Sequence, residues 1–209
     1  MQCKNKQKGF TLVELLVALI VTSIVLSAVV TLAYALGRAN EISDDMSQKQ
    51  AQLRYATLRI SDLIRYSKLI CRINECDLAI WQADDNGDGH INAPELVYIE
   101  TGSGKDYIRL VEFPADSNGL ISPVSIQDGS ARTWLKTLCQ ERYTVMVPQC
   151  SNVAFSVDAQ PSQPLQTRFA TVSFDLKENG VINHYQIGSA LRSWAGYLLD
   201  GNNIVSDDD

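Results

Sequence analysis

Residues 10–36 read FTLVELLVALIVTSIVLSAVVTLAYAL, and this run decides the fold. It is apolar or small-polar throughout apart from one carboxylate, Glu14. About 20 such residues suffice to cross a bilayer as a helix, so the run predicts a membrane span. Lys4, Lys6 and Lys8 lie ahead of it with no acid among them, whereas Glu41, Asp44 and Asp45 follow Arg38 on the other side. By the positive-inside rule this asymmetry predicts a single-pass protein with a cytoplasmic N-terminus and a body beyond the membrane. Ala33 and Ala35 form an A-x-A pattern that a signal peptidase could cut. A secretory signal, however, has an apolar core of only about 7 to 15 residues. The longer run continues without a break into helix-forming sequence and reads as a retained anchor.

Within an apolar span a carboxylate costs about 2.5 to 3.5 kcal/mol on insertion scales unless a partner neutralises it, so Glu14 asks for a specific role. The run KGFTLVELLVALIV, residues 8–21, resembles the type III signal of type IV pilins and of the pseudopilins of type II secretion systems. The resemblance implies that residues 1–9 are a leader, that a prepilin peptidase cuts after Gly9 and methylates the new amine of Phe10, and that the helix is kept. It also implies that Glu14 pairs with the terminal amine of a neighbouring pilin or pseudopilin during assembly. Two groups too costly to leave charged alone in lipid can neutralise each other across a helix interface. The implied role is a structural minor pseudopilin of a type II secretion system. It would sit in a bacterial inner membrane and build a periplasmic pseudopilus that drives protein export. The alternatives are a minor type IV pilin acting in adhesion or DNA uptake and, on the acidic run DDNGDGHINAPE at residues 84–95, a solitary signal-anchored calcium-binding module.

Beyond residue 36 the helix is expected to continue over 37–72. Ile42, Met46, Leu53, Ala56, Ile60, Leu63, Ser67 and Ile70 recur at steps of three and four, leaving Gln48, Lys49, Gln52, Arg59 and Asp62 on other faces. Such a stripe is expected to pack on the protein's own sheet, and Gly37 offers a place for a bend. The run LRYATLRISDLIRYSKLI, residues 53–70, is similar to the corresponding helix of J-type minor pseudopilins. From Asp77 the period changes to that of strands, expected over 78–82, 96–100, 107–113, 142–147, 153–157, 169–176 and 181–187, with a short helix around 131–138. Asn179-Gly180 is a hairpin signal, because both residues tolerate positive φ. Helix first and sheet afterwards predicts an α+β, pilin-like fold: a long helix, membrane-spanning in its first half, packed on an antiparallel β-rich domain over 73–205. Residues 206–209 form an acidic tail.

Residues 84–95, DDNGDGHINAPE, match the EF-hand calcium loop in order. Asp84, Asn86 and Asp88 fall at its first, third and fifth positions, Gly89 at the sixth, Ile91 at the eighth and Glu95 at the twelfth. His90 would add its backbone carbonyl, and Glu95 would close the oxygen shell with both carboxylate oxygens. The plainer reading is a solvated acidic turn, since Asp, Asn and Gly are also turn residues. The flanking runs LAIWQA and LVYIE read as strands, so the loop is expected to join two strands, with calcium in a structural role.

Cys71, Cys76, Cys139 and Cys150 form an even set beyond the span, apart from Cys3. Export would allow two disulfides in three connectivities; the other reading is buried thiols. No CxxC pattern or paired His supports zinc. With Lys4, Lys6 and Lys8 set aside, 15 basic residues face 24 acidic ones, a net charge of −9 that argues against nucleic-acid binding. No nucleophile with a base, no Gly-rich phosphate loop and no open metal site is spaced for catalysis, and His90 and His184 stand apart, so an enzyme is not expected.

Overall fold

The computed structural model describes residues 11–114, 119–138, 140–160, 162–178, 180–196, 199–200 and 203–204; of residues 42, 138, 199, 200, 203 and 204 it describes only the backbone. The chain divides into two compact units, residues 1–50 and 51–209. A single helix, α1 (Leu12–Tyr66), contributes to both. It runs through Gly37 without interruption. In the first unit it is the one helix among the described residues long and apolar enough to cross a membrane, and none of its most apolar window is buried in the chain.

In the second unit α1 becomes one-sided. Ala56, Ile60, Leu63 and Ile64 are buried, while Gln52, Arg54, Tyr55, Leu58 and Asp62 are exposed. The buried stripe predicted over 53–63 is therefore present and packs on the body's own sheets. Of the earlier stripe positions, Met46 is exposed, and the side chain of Ile42 lies outside the description.

The expected helix over 37–72 overshoots. Helix α1 stops at Tyr66, and Leu69–Ile73 form strand β1. The hydroxyl of buried Ser67 closes the last turn on the Ile64 carbonyl at 2.8 Å, and the Lys68 amide leaves the helix to bond the Trp81 carbonyl at 2.9 Å. Ile70 keeps the helical step by coincidence. Leu69, Ile70 and Cys71 are all buried, as a strand covered on both faces requires, and a continuous apolar run has no period to separate strand from helix.

The remaining elements follow in order. They are β2 (Asp77–Trp81), β3 (Ile91–Asn92), β4 (Leu96–Glu100), β5 (Ile108–Glu112), β6 (Leu120–Ile121), α2 (Pro123–Asp128), α3 (Ser130–Leu138), β7 (Arg142–Val147), β8 (Cys150–Val157), β9 (Phe169–Glu178), β10 (Val181–Ala190), β11 (Leu199–Asp200) and β12 (Asn203–Ile204). All seven predicted strands and the short helix are found; β1, the two-residue strands and α2 are additions. The main sheet has the order β1-β2-β4-β5-β7, a second has β10-β9-β8, and β3 pairs with β6 and β11 with β12. Every pairing is antiparallel. Glu178 is registered with Val181 and Gly180 has φ +83°, as the predicted hairpin demands, although Asn179 lies outside the described residues.

This is the α+β order of a long apolar helix followed by antiparallel sheets. Alternation along β2 splits the core of the body. Leu78 and Ile80 join the cluster beneath α1 with Val153, Val172 and Phe174, whereas Ala79 and Trp81 face a second cluster with Ile126, Ala131 and Leu135 of α2 and α3. The chain closes late. The Arg192 amide bonds the Arg65 carbonyl at 2.7 Å, and the Ala195 amide bonds that of Lys68 at 3.0 Å.

Candidate functional site

The first candidate is the start of α1. Thr11 precedes the helix and Glu14 stands three residues on, which is the S/T-x-x-E spacing of a capping box. The geometry is reciprocal. The Glu14 amide donates to Thr11 Oγ1 at 3.3 Å, and the Thr11 amide and hydroxyl both donate to Glu14 Oε2 at 3.2 Å. The pair thus satisfies two amides, those of Thr11 and Glu14, that the start of a helix leaves unpaired, and the Glu14 carboxylate sits at the positive end of the helix dipole. The S/T-x-x-E spacing that signals this local role stands in the sequence itself, beside the longer-range pairing that the resemblance implies for Glu14. Gly9 and Phe10, the expected processing site, lie outside the described residues.

The second candidate is the loop between β2 and β4. The two strands flank it as predicted, with β3 inserted and a short 3-10 turn, Ala93–Glu95, leading into β4. Gly87 and Gly89 both have φ +69°, the left-handed conformation that lets the backbone reverse tightly around the acids. Asp84 Oδ1 accepts from the Asp88 amide at 3.2 Å, and Oδ2 from the Gly89 amide at 3.0 Å. Asn86 Oδ1 also accepts from the Asp88 amide, at 3.1 Å. Asp88 Oδ1 accepts from the His90 amide at 2.7 Å, and its Oδ2 from the side-chain amides of Asn86 and Asn92. The Asn92 bond, with those from His90 and Asn86, holds the Asp88 carboxyl below the usual carboxylate range.

Glu95 is 5% exposed and anchors the far end. Its Oε1 accepts from the Asp85 amide at 3.0 Å, and its Oε2 accepts from Trp81 Nε1 and from the Asn92 amide, each at 3.1 Å. The donor set is all oxygen, the hard-ligand chemistry that suits calcium. In this arrangement the carboxylates are engaged by N–H donors. Among the described residues no group of three or more His, Cys, Asp or Glu side chains is gathered as a metal centre.

Two neighbours of the loop escaped sequence reasoning. Lys68 Nζ lies 3.5 Å from Asp84 Oδ2 and 5.0 Å above the Trp81 ring, and Trp81 is the donor to Glu95. Lys68 precedes the loop by sixteen residues and carried no local signal. A separate polar cluster joins α3 to the main sheet. Glu100 accepts from Arg109 at 3.0 Å and from Arg132, whose guanidinium also lies 5.3 Å over the Tyr98 ring. His184 pairs with Asp175 at 2.7 Å on an exposed strand face, away from His90.

Cys71, Cys76 and Cys150 are free thiols here, and Cys139 lies outside the described residues. Cys71 belongs to the cluster with α2 and α3, and Cys150 to the cluster beneath α1. Burial pushes the Cys71 thiol up to about 12 and that of Cys150 to about 11, which favours the protonated thiol of each at neutral pH.

Comparison with known proteins bears on the first candidate. The family described as the prokaryotic N-terminal methylation motif matches residues 4–30. No curated protein and no solved structure matches the chain. The matched stretch contains Gly9, Phe10 and Glu14, and a motif of this kind implies processing by prepilin peptidase and assembly with other pilins. The helix that follows fits the membrane anchor of a prepilin-type protein. Residues 4–30 thus carry the prepilin-type signal of type IV pilins and pseudopilins, which supports a pilin- or pseudopilin-type structural role for the chain.

Proposed function

We propose that the chain is a structural, non-catalytic minor pseudopilin of a type II secretion system. Residues 1–9 are removed, the N-terminus faces the cytoplasm, and the periplasmic body is carried into a pseudopilus through α1. The observation that carries this reading is Glu14, an acid inside a methylation motif at the head of an apolar helix whose membrane-length window is unburied among the described residues. The cap by Thr11 gives the carboxylate a local partner before assembly, and a neighbour's amine would add the opposite charge.

The test is the intact mass of the membrane-extracted protein. Loss of residues 1–9 with one added methyl group is expected, and a chain retaining Met1 overturns the proposal in favour of a solitary anchor. The same spectrum before and after reduction counts any disulfides among Cys71, Cys76, Cys139 and Cys150. Glu14→Leu should insert normally yet fail to join filaments. Loss of protein export with pili intact in a deletion strain supports the secretion role; lost adhesion or DNA uptake with export intact points to a type IV pilus.

The second proposal concerns the acidic loop. Calcium is bound by Asp84, Asn86, Asp88, the His90 carbonyl and Glu95, and it fixes the β2–β4 connection. The support is the ordered spacing of these residues and the left-handed Gly87 and Gly89. At ten times Kd, calcium would stabilise the fold by about 1.4 kcal/mol. Coincident melting curves of the full chain in calcium and in chelator would remove the proposal.

A further inference from the structure

We propose that Lys68 is a resident cation of the acidic loop, and that its ammonium competes with an incoming divalent cation for Asp84. The inference rests on the calcium reading of that loop and adds a regulatory element that the loop sequence does not contain. Residues 84–95 hold four acids, Asp84, Asp85, Asp88 and Glu95, and no Lys or Arg. The side chain of Asp84 is only 6% exposed, so its charge needs compensation that water cannot supply. Two of its partners are neutral amides, from Asp88 and Gly89. The third is the ammonium of Lys68, itself 29% exposed.

Lys68 reaches this position because both of its ends are fixed. Its amide is bonded to the Trp81 carbonyl, its carbonyl to the Ala195 amide, and its ammonium lies over the Trp81 ring. The same tryptophan donates its ring N–H to Glu95. One aromatic side chain therefore supports the groups that hold the first and the twelfth positions of the loop, on one side by a cation and on the other by a neutral donor. A calcium ion at Asp84 would meet a like charge already seated there. Binding would have to displace the ammonium into the solvent beside it, and the work of doing so weakens the measured affinity. The pairing also ties the loop to the residue where the chain turns from α1 into β1, so displacement would be felt at that junction.

The test uses the full chain in detergent micelles, titrated with calcium ions by calorimetry at low ionic strength. Lys68→Met keeps an apolar stem across Trp81 and removes the charge; Lys68→Gln is a second neutral variant should the first fold poorly. Lys68→Arg retains the charge, and Glu95→Gln reports whether binding occurs at this loop. The neutral variants are expected to bind calcium about ten-fold more tightly than the native chain, with the gap narrowing as salt is raised. Lys68→Arg should stay close to native, and Glu95→Gln should lose binding. Binding seen only in the neutral variants supports the inference equally. Equal affinities in native and neutral proteins overturn the role of Lys68 while leaving the calcium reading standing. Absence of binding in every protein overturns the calcium reading and the competition together.

Discussion

The two stretches of α1 on either side of residue 50 are built from similar apolar residues and put them to opposite uses. From Leu12 to Leu36, leucines, valines and isoleucines on every side of the helix are exposed. From Leu53 to Ile64 the apolar residues that matter lie on one stripe, and Ala56, Ile60, Leu63 and Ile64 are buried against the body's sheets. A stripe is satisfied by one neighbour. A helix apolar all round needs surroundings that cover it completely, and among the described residues none of its most apolar window is buried. Covalently continuous residues thus answer to two solvents, and substitutions in them should be read out by different assays.

The largest effect should fall on the stripe. Ile60→Ala is expected to cost about 3 kcal/mol in the cooperative unfolding of the body, followed by circular dichroism of the detergent-solubilised chain. Leu26→Ala, chemically the same kind of truncation, should leave that transition within about 0.5 kcal/mol of native. A shift as large as that of Ile60→Ala would show that the span contributes to the body after all. Glu95→Gln should cost about 2 kcal/mol in chelator, because a buried charged acceptor of three N–H donors becomes neutral and brings donors of its own. Thr11→Ala should remove about 1 kcal/mol from the first turn alone. That loss would be seen as faster amide exchange near Glu14 with no change in the melting of the body.

The smallest effect is a pH dependence. Asp88 has its carboxyl held below the usual range, so its contribution to stability is fully present above about pH 4 and is lost as pH falls through its lowered value. Asp88→Asn should flatten that acid limb of the melting temperature. An unchanged limb would assign it to other carboxylates.

The same division governs what could be read from the residues. The span, the stripe over 53–63, seven of the eight longer strands and the loop boundaries were legible, because each leaves a period or a motif, whereas β1 was not. The end of α1 was not. Ile70 fits a helical step as well as a strand, and what stops the helix is the Lys68 amide turning to the Trp81 carbonyl, a contact set by the fold. The Glu100 cluster was invisible for a similar reason, since an acid at the end of LVYIE looks like a strand reaching solvent. The partners Arg109 and Arg132 come from β5 and α3. Lys68 at the acidic loop belongs with these. The Thr11–Glu14 cap is different, for its signature is local and stands in the sequence as Thr11 and Glu14 three residues apart.

The late closure of the chain bears on how the body comes to be made. The carbonyls of Arg65 and Lys68 receive their partners from Arg192 and Ala195, more than a hundred residues further along. Contacts of such high sequence separation slow folding and must wait for residues 192–195 to arrive. Until Arg192 and Ala195 have emerged and docked, the root of the body stays unsealed next to apolar strands, a period of exposure to aggregation or proteolysis.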